Sequence, residues 1–155
     1  MHGRVIIPIH NDRGSLVAYA GRAVDALEPK YRFPAGFHKA AELYNLHRAR
    51  AAGSDDLIVV EGFFDCLRIH EAGFRNVVAL MGCTISGQQI RLLSDSCSSV
   101  VLLLDGDSAG RQATPVISAA LLAGGLRVRT LCVPDGQQPD SMSIADLRAL
   151  IGSTA

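Results

Sequence analysis

Apolar and polar positions follow two different rhythms along this chain. Over residues 4–22, "RVIIPIHNDRGSLVAYAGR", two β-rich runs flank Asn11-Asp12-Arg13-Gly14, residue types that favour a hairpin turn. In "FHKAAELYNLHRARAA" (37–52), Leu43, Leu46 and Ala49 recur at near-helical spacing among strong helix formers, and Gly53 ends the predicted helix. Beyond it, short apolar runs alternate with helical patterns. "LIVV" (57–60), "NVVAL" (76–80), "VVLLL" (100–104) and "RVRTLCV" (127–133) read as strands. Between them lie "FFDCLRIHEAG", closed by Gly73, and "SGQQIRLLSDS", with Ser86 as its N-cap. A third helix, "SAGRQATPVISAALLAGG", contains Pro115, which implies a kink or a later start. A short helix, "IADLRALI", follows the last strand and the loop "PDGQQPDSMS".

Apolar strands separated by helices predict an α/β fold: a parallel four-stranded sheet with helices on both faces. Residues 1–53 form an N-terminal hairpin and helix appended to this sheet, and residues 54–155 form the core. No repeat and no low-complexity tract interrupts the pattern.

Composition narrows the class. The chain has 155 residues, 48% hydrophobic and 19% charged, which suits one compact domain burying roughly 70% of its unfolded surface. No apolar run approaches the roughly 20 residues that span a bilayer, and the opening "MHGRVIIPIHNDRG" is apolar for too short a stretch to read as a signal peptide. The expectation is a cytoplasmic protein with no membrane partner. None of Cys66, Cys83, Cys97 and Cys132 sits in a C-x-x-C pair. Reduced, mostly buried thiols are therefore expected, with no zinc site. His2, His10, His38, His47 and His70 are scattered without ligand spacing to a nearby cysteine. The zero net charge conceals an asymmetry: residues 1–50 hold eight Lys/Arg against four Asp/Glu, and residues 51–155 hold seven against eleven. A polyanion-binding surface beside a metal site would produce this, and so would chance.

Chemistry concentrates where strands end. In open α/β sheets, ligands bind outside the carboxyl ends of the strands. "LIVVEG" ends in Glu61 and "VVLLLDGD" in Asp105 and Asp107, with Gly106 allowing a tight turn between the aspartates. Carboxylates held this close repel one another, and a bound hard divalent cation such as Mg2+ would offset that cost. D-G-D is also a common turn sequence, in which either aspartate would cap the following helix.

Together, "VVEGFFD" and "LLLDGDSAG" resemble the TOPRIM domain shared by DnaG-type primases, topoisomerases and related nucleases. The resemblance sharpens toward the bacterial DnaG-type primases and covers nearly the whole chain. "AGR" (20–22) is similar to that family's Gly-Gly-Arg, "PKY" (29–31) to its P-K-Y, and "FHKAAELYN" (37–45) to F-x-K-x-x-x-L-Y-G. "DGDSAGRQA" is similar to D-G-D-x-A-G-x-x-A.

The resemblance implies Mg2+-dependent (or Mn2+-dependent) synthesis of RNA primers on single-stranded DNA from nucleoside triphosphates. Glu61, Asp105 and Asp107 would be catalytic and metal-binding, and Glu61 would also take a proton during transfer. Arg22, Lys30 and Lys39 match basic positions that would contact phosphates; their alternative is solvated surface. Asp65, Asp135 and Asp140 would support the site from behind. Three departures stand out. Gln138 occupies the place of an aspartate in D-G-x-D-P-D, Cys83 the place of a threonine in Leu-Gly-Thr, and "RFPAG" (32–36) is shorter than its counterpart. A zinc-binding module and a helicase-binding region would belong to a full primase outside these residues, and a replicative helicase would be a partner only through the latter. The chain assayed alone is therefore expected to bind Mg2+ and single strands weakly and to make primers poorly. A metal-dependent nuclease and a non-catalytic nucleic-acid-binding module are the competing functions.

Overall fold

A computed structural model describes residues 2–26 and 28–152. Strands β1 (Arg4–His10) and β2 (Leu16–Ala23) form the expected antiparallel hairpin, which a short strand β3 (Tyr31–Arg32) extends to three strands. Asn11 makes the turn: its Oδ1 accepts from the backbone N–H groups of Arg13 and Ser15.

The second sheet consists of β4 (Asp56–Val60), β5 (Val77–Ala79), β6 (Ser99–Leu102) and β7 (Arg127–Thr130). All its pairings are parallel, in the order β5-β4-β6-β7. Its apolar residues sort by strand parity into two clusters. Ile58, Val60, Val77, Ala79, Val101 and Leu103 pack against helices α2 (Phe63–Glu71) and α5 (Ile144–Gly152) and against Ile7, Ile9, Ala18 and Ala20 of the hairpin. Leu57, Val59, Val78, Leu80, Val100 and Leu102 pack against α1 (Leu46–Ala51), α3 (Gly87–Ser94) and α4 (Ser108–Ala123). Period-two alternation thus supplies both covered faces of the sheet. The hairpin is more than an appendage, because its inner face completes one of the two cores.

The long helix expected over residues 37–52 does not form. Lys39–Ala41 make one 3-10 turn, Glu42 is extended, and α1 starts only at Leu46. Between them, Tyr44 exchanges backbone hydrogen bonds with Ala79 of the edge strand β5, at 3.0 and 3.1 Å. Asn45 turns left-handed (φ 69°) and donates from its side chain to Val77 O. An open sheet edge carries unpaired backbone groups, and satisfying that edge overrides the helical propensity of the segment. Elsewhere, Ser86 caps α3 as expected, accepting from the Gln89 N–H at 3.0 Å. Helix α4 starts at Ser108 and runs through Pro115, with Thr114 bonding back to Gly110 O. The thiols depart from expectation: Cys66 is buried and Cys97 partly so, but Cys83 and Cys132 are exposed.

Candidate nucleic-acid and metal-binding cleft

Because β4 and β6 are neighbours, the residues leaving their C-terminal ends begin side by side. The Asp105 N–H donates to Glu61 Oε1 at 3.1 Å. Burial pushes the Glu61 carboxyl up to about 7; the Asp105 N–H opposes that shift, and the charges of Asp105 and Asp107 add to it. Asp105 is pushed up to about 6, by burial first and then by Asp107 and Asp140, against Lys30 and a hydrogen bond from Gln138. That bond runs from Gln138 Nε2 to Asp105 Oδ2 at 2.8 Å. The other oxygen, Oδ1, is buried and has no hydrogen-bond partner among the described residues.

Asp107 behaves differently from its neighbour two residues away. It is exposed and caps α4, its Oδ1 accepting from the Gly110 N–H at 2.8 Å. Among the described residues, no three His, Cys, Asp or Glu side chains are grouped closely enough to hold a metal ion as they stand. The donor set nevertheless suits a hard divalent cation. Glu61 and Asp105 line the same cleft, and the orphaned Asp105 Oδ1 lacks the positive partner that a buried carboxylate oxygen requires.

Asp65 lies behind this pair, buried at the start of α2. Its Oδ2 accepts from the Gly62 N–H at 2.9 Å and its Oδ1 from the Asp140 N–H at 3.1 Å. It therefore ties the α2 N-terminus to the loop after β7. Burial, followed by the charges of Asp105 and Asp140, pushes it up to about 7 against those two N–H groups.

The glycines of "DGDSAG" serve close approach. Neither Gly106 nor Gly110 has a positive φ, so the tight-turn role expected of Gly106 gives way to a packing one. A Cβ at Gly106 would stand 2.1 Å from Pro134 O, and one at Gly110 would stand 2.2 Å from Asp105 O. The Gly106 N–H donates to Gln137 O, and the Gly136 N–H to Gly106 O. The loop carrying Gln138 is thereby stitched to the aspartate turn.

These groups face a cleft of about 240 Å³ between the two sheets. Glu61, Asp65, Asp105 and Asp140 line one side, and Arg22, Lys30 and Lys39 also line it. The cleft thus gathers basic residues from the front of the chain and carboxylates from the strand ends. Arg22 is held by aromatic packing: its guanidinium carbon lies 4.7 Å from the Phe64 ring centroid and 5.1 Å from that of Tyr31. It donates to the Tyr31 hydroxyl at 2.7 Å. Lys39 Nζ donates to Met81 O at 3.1 Å, from the 3-10 turn and not from the helix expected there. Two expected site residues do not line this cleft. Asp107 caps α4, and the exposed Asp135 pairs with Arg111 of that helix. His38 is exposed.

The residues that sequence reasoning missed are those acting across the cleft. Tyr31 and Phe64 lay inside "PKY" and "EGFFD", yet nothing local pairs either with Arg22. Gln138 stood out only as a departure, with no sign that its amide would reach Asp105.

Residues 58–143 match the Toprim-like family, and the chain belongs to it. Residues 1–50 match the N-terminal domain of the DNA primase catalytic core. The DNA primase of Pseudomonas aeruginosa is 38% identical over 152 residues, which cover 92% of this chain and 23% of that protein. The crystal structure of the Aquifex aeolicus primase, zinc-binding and RNA polymerase domains, superposes with a TM-score of 0.88 at 36% identity. The match covers 99% of this chain and 40% of that one. The structure of the DnaG primase catalytic domain bound to ssDNA gives 0.85 at 30% identity, over 97% and 51% of the two chains. The chain therefore spans about a quarter of the length of the curated relative it matches. The resemblance to DnaG-type primases read from the motifs is borne out at both ends of the chain.

Proposed function

We propose that this chain is the TOPRIM catalytic part of a DNA primase, acting in the cytoplasm in the Mg2+-dependent synthesis of RNA primers on single-stranded DNA. The observation that carries the proposal is the shared cleft. Residues from the primase-like front segment and carboxylates from the Toprim-like core line one cavity.

In this reading Glu61 and Asp105, with Asp107 beside them, hold Mg2+ or Mn2+. When bound, the cation supplies positive charge against the phosphates of an incoming nucleoside triphosphate. The chain's own residues do the rest. Arg22, fixed by Tyr31 and Phe64, keeps guanidinium donors available for phosphate oxygens, and Lys30 and Lys39 add charge to the same cleft. In the cation-free cleft burial pushes the Glu61 carboxyl up to about 7, so Glu61 gives up a proton as the cation enters. Asp65 and the Asp140 backbone hold the two loops that frame the carboxylates. Asp135, through Arg111, braces α4 against the loop after β7. A replicative helicase is a partner of the whole primase through segments other than these.

The test is a chimera in which this chain replaces the matching segment of the Pseudomonas aeruginosa primase. Template-dependent ribonucleotide incorporation that is lost on Asp105→Asn is the expected result. Cleavage of labelled DNA by the chain in Mg2+ without nucleotides would instead assign the carboxylates to a nuclease. Single-strand binding without either reaction would leave a non-catalytic module.

A further inference from the structure

Gln138 places a neutral amide where the cleft is otherwise crowded with carboxylates. Its backbone is anchored on both sides: its N–H donates to Ser141 Oγ at 3.1 Å, and the Ser141 hydroxyl returns a bond to Gln138 O at 2.8 Å. One residue earlier, Gln137 O accepts from the Gly106 N–H at 2.9 Å. With both loops fixed to each other, the side chain reaches Asp105 Oδ2 at 2.8 Å, within good hydrogen-bond length for a charged acceptor. Glu61, Asp107 and Asp140 lie around the same carboxylate, with Lys30 the cation that opposes them.

We propose that Gln138 is an amide latch on Asp105. In the cation-free cleft it occupies Oδ2 and stabilises the crowded carboxylates, leaving only Oδ1 open; a divalent cation that takes both Asp105 oxygens must displace it, so Gln138 lowers the cation affinity of this cleft. The inference rests on the reading that Glu61 and Asp105 hold a divalent cation. A carboxylate at this position would do the opposite, adding repulsion to the empty cleft and attraction to the filled one. Gln138 is a positioning residue here, acting through Asp105.

The probe is Mn2+, titrated into the whole chain and followed by the electron paramagnetic resonance of the free ion. Thermal midpoints in EDTA are recorded alongside. Gln138→Met keeps the length of the side chain and removes the donor. It should bind Mn2+ about tenfold more tightly and melt earlier in EDTA. Gln138→Asp should bind more tightly still and melt earliest. Asp105→Asn reports whether the signal comes from this cleft and should abolish it. If the wild-type chain binds Mn2+ through Asp105 but Gln138→Met binds equally or more weakly, the latch is overturned and the cation reading stands. If no variant binds Mn2+, the cation reading fails and the latch fails with it.

Discussion

The two walls of the cleft are built by opposite means. The wall at the strand ends is electrostatically costly: Glu61 and Asp65 sit at about 7 and Asp105 at about 6, each raised first by burial. Backbone N–H groups and one amide hold these carboxylates in place. The hairpin wall carries its charges on packed or exposed stems. Arg22 rests on two aromatic rings, and Lys30 is exposed on the segment leading into β3. One wall stores repulsion that a bound cation would relieve; the other offers charge at little structural cost. Substitutions should therefore couple stability to ligand binding on the first wall and separate them on the second.

The largest effect is expected at Asp105. Asp105→Asn removes one of the paired carboxylates, so Mn2+ affinity should fall at least the 10–100-fold typical of losing a mere supporting contact, roughly speaking. The same change removes a charge facing Asp107 and Asp140, so the thermal midpoint in EDTA should rise. A lower midpoint would show that the wall is not under electrostatic strain.

Next comes the seam that holds this wall together. Gly106→Ala forces a Cβ to within 2.1 Å of Pro134 O, a backbone atom that moves only if the loop moves. The expected cost is about 2 kcal/mol by denaturant titration. Cation affinity should change as well, because the displaced loop carries Gln138. Full stability with unchanged affinity would disconnect the loop from the site.

The pH dependence follows from the raised carboxyls. Unfolded, Asp and Glu titrate at roughly 4; folded, these three titrate at about 6 to 7. The folded state binds more protons across that interval, so their contribution to stability is fully present below about pH 4 and is lost as pH rises to about 7. Melts in EDTA should show the midpoint falling across that range, and saturating Mn2+ should flatten the fall. A midpoint that rises toward neutrality would contradict the sign.

The smallest effects on stability belong to the hairpin wall. Arg22→Met removes the guanidinium that lies over Phe64 and Tyr31 and should cost only about 1 kcal/mol, and Lys30→Ala less. Each should lower the salt dependence of single-strand binding by about one unit of log–log slope at most. Fluorescence anisotropy over a salt series measures it, and an unchanged slope would return both residues to ordinary surface.

Much of this protein was legible locally, and the reason is physical. The short continuous apolar runs in "LIVV", "NVVAL" and "VVLLL" read as strands covered on both faces, because each parity is apolar. Glu61 and Asp105 had to leave strand ends, and the D-G-D context left the capping role of Asp107 open, a role the structure gives it. Tertiary structure decided the rest. Residues 37–45 abandon a helical pattern because Tyr44 completes the edge of β5, a demand set by a strand more than thirty residues away. Gly106 is required by the approach of Pro134, which no local rule contains. Arg22 meets Phe64, and Gln138 meets Asp105, only because two sheets close over one cleft. Periodicity and turn chemistry act over a few residues and are written in the sequence. The partners of a charge are chosen by packing between distant segments, and only the folded chain displays them.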